Sequence, residues 1–491
     1  MPADPTFRIC QVAAEVTPFA KTGGLGDVAA GLSSFLHRAG HDVRVFLPFY
    51  AQIAKTAKHP ETFEPVDFIQ DVPIAMGSRQ YTFSLRTGQL PGSDLWVYFV
   101  DCPELFGQEG IYHGDQADWR RFAVLTRAAF ESCQRMGWGP DVVHCHDWHT
   151  ALAPILLKAL YSWDRLFDRT RTVLTLHNLG FQGLVHSGVV GELGLGNHTH
   201  WLDAQDLASG AFNFMKTGIL HADFITAVSR TYAQEIQTPE NGFGLDGLLR
   251  ARSDRLAGIV NGVDYGEWDP GKDPYVFYHY SARDLAGKRN CKRSLLRETG
   301  LDERTAAPVI GVVSRLTPQK GFDLCFEVLP EILARRDLRL IALGSGESRY
   351  EEFFLWLQER FPGRAWFYRG FNNELAHRIE AAADLFLMPS KFEPCGLNQM
   401  YSLKYGTPPI VHKTGGLADT VELFDSATGK GTGFVFDHFV PEGLRWAIDY
   451  ALDTFPHHLT WEKLMQNGMA KDFSWDVQGQ EYVELYGRLV G

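Results

Sequence analysis

The sequence predicts an α/β fold built from two doubly wound, Rossmann-like halves, and three observations lead to this prediction. Short segments rich in Val, Ile and Leu alternate with helical patterns, which is typical of parallel sheets covered by helices on both faces. The alternation stops at a Gly-, Pro- and Asp-rich passage, residues 261–274, and then restarts. The chain has 491 residues, too many for one ordinary core. We expect the halves to face each other across a deep cleft, because open parallel sheets bind ligands beyond the carboxyl ends of their strands.

The first half opens with a strand, a helix and a second strand. FRICQVAAE is a short apolar strand, DVAAGLSSFLHRAG has apolar residues on one helical face, and VRVFLP is the next strand. Similar strands followed by helical patterns begin near residues 141, 172 and 223. We therefore predict an N-terminal domain at residues 1–265.

The second half repeats this organisation. Apolar strands end at SRLTPQKG, LGSG, YRGF, LMPS and VHKTGG, and the polar loop segments lead into further helical patterns. We predict a C-terminal domain at residues 266–473. In residues 474–491, the spacing of Val477, Tyr482, Leu485 and Leu489 predicts a terminal helix that docks on the rest of the protein.

Composition and charge exclude several classes of protein. The net charge of -12 argues against non-specific nucleic-acid binding but is compatible with a neutral polymer as partner. The seven cysteines form no CxxC pair, which favours reduced thiols in a cytoplasm. The start of the chain lacks a basic segment followed by an apolar run, and no apolar run reaches the length of a membrane helix. We expect a soluble, cytoplasmic protein with no membrane partner.

The motif KTGG occurs twice, at Lys21 and at Lys413, each time between an apolar strand and a helical pattern. In the first copy, Gly23 and Gly24 would let the backbone approach a ligand, and the following helix would direct free N–H groups toward an anion. The alternative is a tight turn whose glycines only satisfy backbone angles. The lysine and the repetition favour a functional loop.

Two motifs of the second half also follow apolar strands. SRLTPQKG carries Arg315 and Lys320, two cations able to bind a diphosphate, although a solvated helix cap would have the same residues. KFEPCGLNQM carries Glu393 before a helix start, where a carboxylate can bind sugar hydroxyls and N–H groups can bind oxygens. A lone Glu there is otherwise a favourable partner of the helix dipole.

The run HCHDWH contains several competent metal ligands, but no further Cys/His pair completes a closed site, so the sequence disfavours zinc. Asp147 and Trp148 are better suited to holding a sugar by hydrogen bonds and stacking. His177 and Asn178, in HNLGFQG, follow another strand. They either bind a sugar there or are simply polar residues satisfied at the edge of the sheet. No Gly-x-Ser-x-Gly elbow, Walker loop or HExxH motif is present, and GSGES at residues 344–348 is too short for a dinucleotide-binding motif, which disfavours hydride transfer and serine hydrolysis.

Taken together, KTGGLGDV, HDWHT, HNLGFQG, NGVD, SRLTPQKG, PSKFEPCGLNQ, YGTPPIV and KTGGLADTV closely resemble the bacterial glycogen synthase and plant starch synthase family, in order and over almost the whole chain. The resemblance implies a GT-B glycosyltransferase whose terminal helix, residues 474–491, packs on the N-terminal domain. It also implies transfer of glucose from ADP-glucose to the non-reducing end of an α-1,4-glucan, with retention of configuration and without a metal or other cofactor.

The resemblance further implies roles for individual residues. The residues that it places at the donor phosphates, the donor glucose and the cleft are Lys21, Gly24, Asp147, His177, Asn178, Asn261, Arg315, Lys320, Glu393, Cys395, Gly396 and Leu397. Of these, it implies catalytic roles for Glu393, Arg315, Lys320 and His177. Tyr112 matches a family tyrosine beside the site, and Phe371 lies where family members place an aromatic near the adenine. Tyr401 stands where the wider GT-B group carries a second Glu.

Two other functions compete with this one. A related retaining transferase would use UDP-glucose or a small acceptor, and assays with both nucleotide sugars separate the two enzymes. A catalytically idle glucan-binding scaffold is the alternative from a different class. The retained set of Lys21, Arg315, Lys320 and Glu393 argues against the scaffold, since an idle copy needs none of these charges.

Overall fold

The computed structural model describes residues 6–56 and 63–491, and within them the chain forms two compact units, each built on a largely parallel β-sheet. The first unit comprises the chain up to Val228, Ala233–Gly262 and Trp475–Gly491, and the second comprises Ser229–Tyr232 and Val263–Ser474. The predicted domain limits at residues 265 and 473 stay predictions. Residues 1–5, part of the start that we interpret as lacking a signal sequence, lie outside the described residues.

The first unit is built on one large sheet. Its strands are β1 (Arg8–Val12), β2 (Asp42–Pro48), β3 (Glu64–Pro65), β4 (Val72–Met76), β5 (Arg79–Gln89), β6 (Trp96–Asp101), β7 (Val142–His146), β8 (Arg171–Leu176), β11 (Phe224–Ala227) and β12 (Leu256–Gly258). Two further strands, β9 (Leu184–His186) and β10 (Ala211–Asn213), form a separate antiparallel pair. The order is β12-β11-β8-β7-β1-β2-β6-β5-β3, with β4 paired to β5. All pairs from β12 to β6 are parallel, and β3, β4 and β5 add an antiparallel edge.

Helices follow most of these strands. Up to residue 251 they are α1 (Gly24–Arg38), α2 (Ala51–Thr56), α3 (Pro103–Phe106), α4 (Asp115–Arg135), α5 (Asp147–Thr150), α6 (Ala153–Leu160), α7 (Val189–Glu192), α8 (Ala204–Ala208), α9 (Phe214–His221), α10 (Arg230–Glu235) and α11 (Asp246–Ala251). Helix α1 has its apolar residues on one face, and Val28, Leu32, Phe35 and Leu36 of that face are buried. Its amphipathic pattern is therefore the reason that it packs where the sequence predicts.

The second unit has a parallel sheet of six strands in the order β15-β14-β13-β16-β17-β18. The strands are β13 (Val309–Leu316), β14 (Arg339–Gly346), β15 (Ala365–Arg369), β16 (Leu385–Met388), β17 (Pro409–His412) and β18 (Phe434–Phe436). Its helices are α12 (Ala286–Glu298), α13 (Cys325–Arg335), α14 (Ser348–Arg360), α15 (Asn373–Ala382), α16 (Asn398–Lys404), α17 (Gly415–Thr420), α18 (Pro441–Thr454) and α19 (His458–Met469). These strands are the apolar segments that the sequence predicts, so the two-sheet α/β fold is confirmed.

Both sheets contain a point where the strand order reverses. In the first unit the chain winds outward from β1 in one direction to β2 and in the other to β7 and β8, and in the second it does so from β13 to β14 and to β16. Loops that leave the carboxyl ends of strands on either side of such a point diverge and leave room for a ligand. Of the candidate site residues, Asp147 and His177 follow β7 and β8, and Lys320 and Glu393 follow β13 and β16.

The terminal helix α20 (Trp475–Val490) belongs to the first unit and packs against α1. The Trp475 ring occupies the space beside Gly31 and Gly262, where an added Cβ would meet it at 2.0 and 2.4 Å. Tyr482 and Leu485 are buried as their spacing predicts, but Val477 is 47% exposed. The prediction that Val477 lies on the docking face of the helix was wrong, because Trp475, rather than Val477, makes the buried contact at the start of the helix.

All seven cysteines are free and buried. Among the described residues, none of the helices combines the length and apolar character that crossing a membrane requires.

Candidate active site

Glu15 lies shortly after β1, and its carboxylate organises the first KTGG loop. One oxygen accepts hydrogen bonds from the backbone N–H groups of Thr22 (2.5 Å) and Gly23 (3.2 Å), and the other accepts one from the Thr22 hydroxyl (2.8 Å). Glu15 is only 3% exposed. A buried carboxylate needs hydrogen bonds to replace its lost hydration, and these bonds provide them while fixing the loop ahead of α1.

Lys21 is held at the start of α1 by an ion pair. Its Nζ lies 2.7 Å from Oδ1 of Asp27, and the same oxygen accepts a hydrogen bond from the Thr17 hydroxyl at 3.0 Å. The Lys21 side chain is 46% exposed, so its ammonium lies at the surface. Gly24 is the first residue of α1. The role of Lys21 and Gly24 at donor phosphates stays a prediction.

Tyr112 connects the Glu15 loop to the segment after β7. Its hydroxyl donates a hydrogen bond to Glu15, and its ring stacks on the His149 ring with centroids 4.8 Å apart. Burial, with the Glu15 charge adding to it, raises the pKa of the Tyr112 hydroxyl far above its usual value. The hydroxyl therefore stays protonated and acts as a fixed donor toward Glu15.

Asp147 follows β7 with a left-handed backbone, φ +53°, which is rare for a residue with a side chain. Its Oδ1 accepts hydrogen bonds from the backbone N–H groups of His177 (2.7 Å) and Asn178 (3.2 Å) after β8. Burial raises the pKa of Asp147 to about 7, although both hydrogen bonds oppose the rise. The strained backbone thus serves to tie the ends of two neighbouring strands together.

The histidines of this region form hydrogen bonds with one another. His144 and His146 alternate with Cys145 on β7, so both rings lie on one face of the sheet, stacked with centroids 4.4 Å apart. His146 Nδ1 lies 3.0 Å from His177 Nε2. Among residues 6–56 and 63–491, no group of three or more His, Cys, Asp or Glu side chains is arranged to hold a metal ion.

Asn178 and Asn261 are two further predicted site residues of the first unit. The Asn178 side-chain oxygen accepts a hydrogen bond from the Gly180 N–H at 3.0 Å, which shapes the HNLGFQG loop. Asn261 is 4% exposed, and its Oδ1 has no hydrogen-bond partner within the described part of the chain. A buried amide oxygen left without a donor is costly, so Asn261 is a group that a hydroxyl ligand would satisfy.

In the second unit, Lys320 and Glu393 form an ion pair. Lys320 Nζ lies 2.6 Å from Glu393 Oε2, and the Ser390 hydroxyl donates to the same oxygen at 2.8 Å. The side chains are 17% and 7% exposed, respectively. Lys320 is placed here by a short turn after β13, Pro318–Lys320, which ends at Gly321 with φ +71°. An added Cβ at Gly321 would lie 1.9 Å from the Pro389 carbonyl oxygen, so only glycine fits.

The Glu393 loop rests on the second KTGG motif. The Gly416 N–H donates to the carbonyl oxygens of Glu393 (3.1 Å) and Pro394 (3.2 Å). A Cβ at Gly415 would lie 1.9 Å from the Glu393 carbonyl oxygen, and one at Gly416 would lie 2.1 Å from that of Cys395. The glycines of this copy therefore permit backbone to pack on backbone, whereas Lys413 pairs with Asp437 at the surface.

The remaining residues of this loop lead into α16. Cys395 is buried, Gly396 has φ +73°, and Leu397 precedes the first helical residue. The Gln399 amide donates to the carbonyl oxygens of Cys395 (3.1 Å) and Gly396 (3.0 Å). These contacts fix the loop that the sequence assigns to the donor glucose.

Arg315 and Phe371 lie apart from these hydrogen-bonded groups. Arg315 is exposed near the end of β13, and within the described residues its guanidinium forms no ion pair. Phe371, which follows β15, is 83% exposed. Both are accessible to a ligand, but the structure does not join them to Lys320 or Glu393.

Tyr401, at the position of the second Glu of the wider group, has an aromatic partner. Its ring stacks on Trp268 with centroids 3.9 Å apart, and the other face of Trp268 stacks on His377 at 3.7 Å. The pKa of His377 is raised because hydrogen bonds to Asp273 and Glu267 outweigh its burial. Tyr401 thus packs within the second unit and is 7% exposed.

The structure brings several predicted residues together. Asp147, His177 and Asn178 meet through backbone hydrogen bonds, and Lys320 contacts Glu393 directly. Sequence reasoning missed Glu15, Ser390, Gln399, His146 and Gln11. The sequence signal for Glu15 was a carboxylate directly after a buried strand and ahead of the KTGG loop. Ser390 lies in a comparable place, in the loop after β16.

Comparison with known proteins identifies the relatives of this chain. The starch synthase catalytic domain family matches residues 8–251, and the glycosyl transferases group 1 family matches residues 299–463. The glycogen synthase of Koribacter versatilis is 43% identical over 486 residues and is aligned over 98% of each chain. Glycogen synthase 1 of Geobacter metallireducens is 42% identical over 488 residues, covering 98% of this chain and 96% of the relative.

Two solved structures share the fold. The catalytic domain of starch synthase IV from Arabidopsis thaliana, bound to ADP and acarbose, has a TM-score of 0.90 and 34% identity, over 99% of this chain and 100% of that one. Sucrose-phosphate synthase from Thermosynechococcus elongatus has a TM-score of 0.63 at 17% identity, over 98% and 99% of the two chains, and shows the fold alone. Fold and matches define a glycosyltransferase of the GT-B class. Within that class, the chain belongs to the glycogen synthase and starch synthase family.

Proposed function

We propose that this protein transfers glucose from ADP-glucose to the non-reducing end of an α-1,4-glucan, with retention of anomeric configuration, and so elongates the linear chains of glycogen. Its relatives are glycogen synthases, and the starch synthase IV structure holds ADP and acarbose. The observation that carries the proposal is the partly buried Lys320–Glu393 pair at the carboxyl ends of central strands, the place where open parallel sheets bind their ligands.

The leaving group of this reaction is a diphosphate. When the bond between glucose C1 and the phosphate oxygen breaks, its electron pair stays on that oxygen, and negative charge develops there. We assign Arg315 and Lys320 to this charge, because cations at the end of β13 can bind a diphosphate and stabilise the negative charge that develops on it; Lys320 is partly buried and Arg315 is exposed. With the diphosphate bound, Lys320 has two acceptors, Glu393 and a phosphate oxygen, and its three ammonium hydrogens suffice for both.

The sugar carries the opposite charge in the transition state. We assign Glu393 to hydroxyls of the donor glucose, together with the backbone of Cys395, Gly396 and Leu397. We assign Asp147, His177 and Asn178 to the glucose as well, and Asn261 to a hydroxyl that satisfies its Oδ1. Carboxylate and carbonyl oxygens oriented toward the anomeric carbon stabilise its oxocarbenium character.

Retention of configuration follows from attack on the same face that the diphosphate leaves. The acceptor oxygen forms its bond to C1 while the C1–phosphate bond breaks, and the acceptor proton passes to the leaving phosphate oxygen. No covalent glycosyl intermediate is needed, in contrast to the two-carboxylate route of retaining glycosidases. We further propose that no metal or other cofactor takes part, since Arg315 and Lys320 supply the positive charge.

The seven free, buried cysteines support a cytoplasmic location, where thiols stay reduced. We include this location in the proposal. The nucleotide sugar and the glucan are its substrates, and nucleic acid and membrane are not its partners.

Radiolabelled ADP-glucose and UDP-glucose, each supplied with glycogen, test the proposed function. We expect ADP-glucose to be preferred and the activity to persist with EDTA. The product should release its label to a β-amylase, which degrades α-1,4 chains from the non-reducing end. Equal or better use of UDP-glucose would contradict the donor assignment, and absence of transfer from either sugar would contradict the function itself.

A further inference from the structure

Three polar side chains of the first unit, Gln11, His146 and His177, are connected in a fixed order, and His144 stacks on His146 beneath α20. Gln11 Oε1 lies 2.8 Å from His146 Nε2, and His146 Nδ1 lies 3.0 Å from His177 Nε2. Gln11 and His144 are register partners on β1 and β7, and Gln11 and His146 are fully buried. His177 is partly exposed, so it is the member of this series that reaches toward the surface.

Gln11 determines which ring nitrogens of His146 and His177 carry a proton. In the structure Gln11 Oε1 faces His146 Nε2 while Gln11 Nε2 has no hydrogen-bond partner among the described residues, and because a carbonyl oxygen only accepts, this orientation of the amide places a proton on His146 Nε2. Burial lowers the pKa of His146 to about 3, so the ring carries one proton and Nδ1 has none. His146 Nδ1 is then an acceptor, and His177 must donate to it through Nε2.

We infer that Gln11 and His146 are positioning residues that hold His177 in the tautomer protonated on Nε2, which leaves the lone pair of His177 Nδ1 to accept a hydrogen bond from a hydroxyl of the sugar. This inference rests on the proposed function, since it specifies what His177 does there. It assigns His177 the role of an acceptor for a sugar hydroxyl and excludes a role as proton donor at Nδ1. Burial, with His146 and His149 adding to it, lowers the pKa of His177 well below its usual value, which keeps the ring neutral.

The ring of His146 is also prevented from turning over. His144 stacks on it at 4.4 Å, and His144 itself is held by the Tyr486 hydroxyl at Nδ1 (2.7 Å) and by the Thr175 hydroxyl at Nε2 (2.6 Å). A flip of the His146 ring would give up its hydrogen bonds to both Gln11 and His177 inside a buried region. Tyr486 belongs to α20, so the terminal helix contributes to this restraint.

Nitrogen-15 NMR of the full chain labelled at its histidines tests the inference without reference to activity. The His177 signals are assigned as those lost in His177→Asn, and long-range coupling shows which ring nitrogen carries the proton. We expect His177 to be protonated on Nε2 alone. Protonation on Nδ1, or a mixture of tautomers in the unmodified protein, would overturn the inference even if glucose transfer is confirmed.

Kinetics of two Gln11 variants test the consequence. Gln11→Met removes the acceptor at nearly constant shape, and we expect a tautomer mixture and a kcat lowered about 10- to 100-fold, with the KM for glycogen within about 3-fold. Gln11→Glu keeps an acceptor oxygen at that position, so it should recover most of the kcat and the Nε2–H tautomer.

Thr170→Val is the matched control, because it removes a buried hydrogen bond, to the Pro140 carbonyl, away from the histidines. A folded Gln11→Met with the kcat of this control would overturn the inference. If the unmodified protein transfers glucose from neither nucleotide sugar, the proposed function fails, and the NMR result still decides the tautomer.

Discussion

The carboxylate of Glu393 is buried with two donors, the Lys320 ammonium and the Ser390 hydroxyl. Only one of these donors is charged, so removal of Lys320 leaves a buried anion without its counter-charge. Lys320 is therefore more than a ligand for phosphate, because it also supplies the counter-charge of the carboxylate next to it. Changes at this lysine should affect the free enzyme and the transition state together.

We expect Lys320→Ala to lower kcat by about 100-fold or more, on the scale of roughly 3 kcal/mol for a lost transition-state donor. The measurement is kcat with ADP-glucose and glycogen at saturation. Lys391→Ala is the matched control, since Lys391 is an exposed lysine of the loop that carries Glu393 and should retain normal turnover. Near-normal turnover by a folded Lys320→Ala protein would remove Lys320 from the mechanism.

Asp147 predicts a particular dependence of stability on pH. Its pKa is raised to about 7 by burial, so between pH 4 and pH 7 the folded state binds a proton that the unfolded state has released. The contribution of Asp147 to stability is therefore greatest at low pH and falls as the pH rises toward 7. Asp147→Asn keeps an acceptor oxygen and loses this titration.

We expect Asp147→Asn to gain stability relative to the unmodified protein as the pH is raised from 5 to 7, by up to about 2 kcal/mol. Urea unfolding at several pH values provides the measurement. Asp141→Asn, at the opposite end of β7, serves as a comparison for a surface carboxylate of the same unit. A constant difference between Asp147→Asn and the unmodified protein across this range would show that Asp147 titrates normally.

At the scale of single residues, the sequence predicted which residues follow a strand better than it predicted which side chains they contact. A polar residue after an apolar strand identified Asp147, His177, Arg315 and Glu393. Contacts such as Tyr112 with Glu15 and Lys320 with Glu393 could not be predicted, because each joins two loops that only the folded sheet brings together. The histidine series was missed because its first member, Gln11, lies within a strand among the apolar residues Ile9, Cys10 and Val12.

At the scale of elements, the two KTGG motifs have the same letters and different conformations. Gly23 is extended with φ −154° and has open space where a Cβ would lie, whereas the equivalent Gly415 has φ +45° and touches the backbone of Glu393. In the first copy, the space beside Gly23 at the start of α1 is therefore open. In the second copy, the glycines pack against the backbone of the Glu393 loop.

We therefore expect Gly415→Ala to lower the free energy of unfolding by more than about 2 kcal/mol, while Gly23→Ala changes it by less than about 0.5 kcal/mol. The pair is matched because both substitutions add one methyl group at the same place in the motif. Thermal unfolding of the two variants compares them directly. Equal effects of the two substitutions would contradict the different packing of the copies.

The strand and helix order was predictable because apolar runs of parallel strands and helical faces leave clear periodic patterns. The antiparallel edge formed by β3, β4 and β5 was not predicted, because its strands are half exposed and alternate in character. The prediction for Val477 was wrong, since spacing alone does not tell which side of a terminal helix packs against the rest of its unit. Trp475 decides that side by filling the space that Gly31 and Gly262 leave.

At the scale of the whole molecule, α20 joins the end of the chain to the first unit. Trp475 is 4% exposed, and we expect Trp475→Ala to cost about 3 kcal/mol of stability, as large buried aromatics do. Val477→Ala, in the same helix but exposed, should change stability by less than about 0.5 kcal/mol. Urea unfolding of the two variants checks the prediction, and comparable midpoints would show that α20 is not anchored by Trp475.

The three chain segments of the first unit also impose an order on synthesis. Its sheet and most of its helices leave the ribosome before any strand of the second unit, but α20 is translated after that unit is complete. Until then the space beside Gly31 and the buried histidine face lack their cover. The half of the protein that is made first is thus finished last, and a chaperone that shields apolar surface during translation would have its binding site on the α1 side of this half.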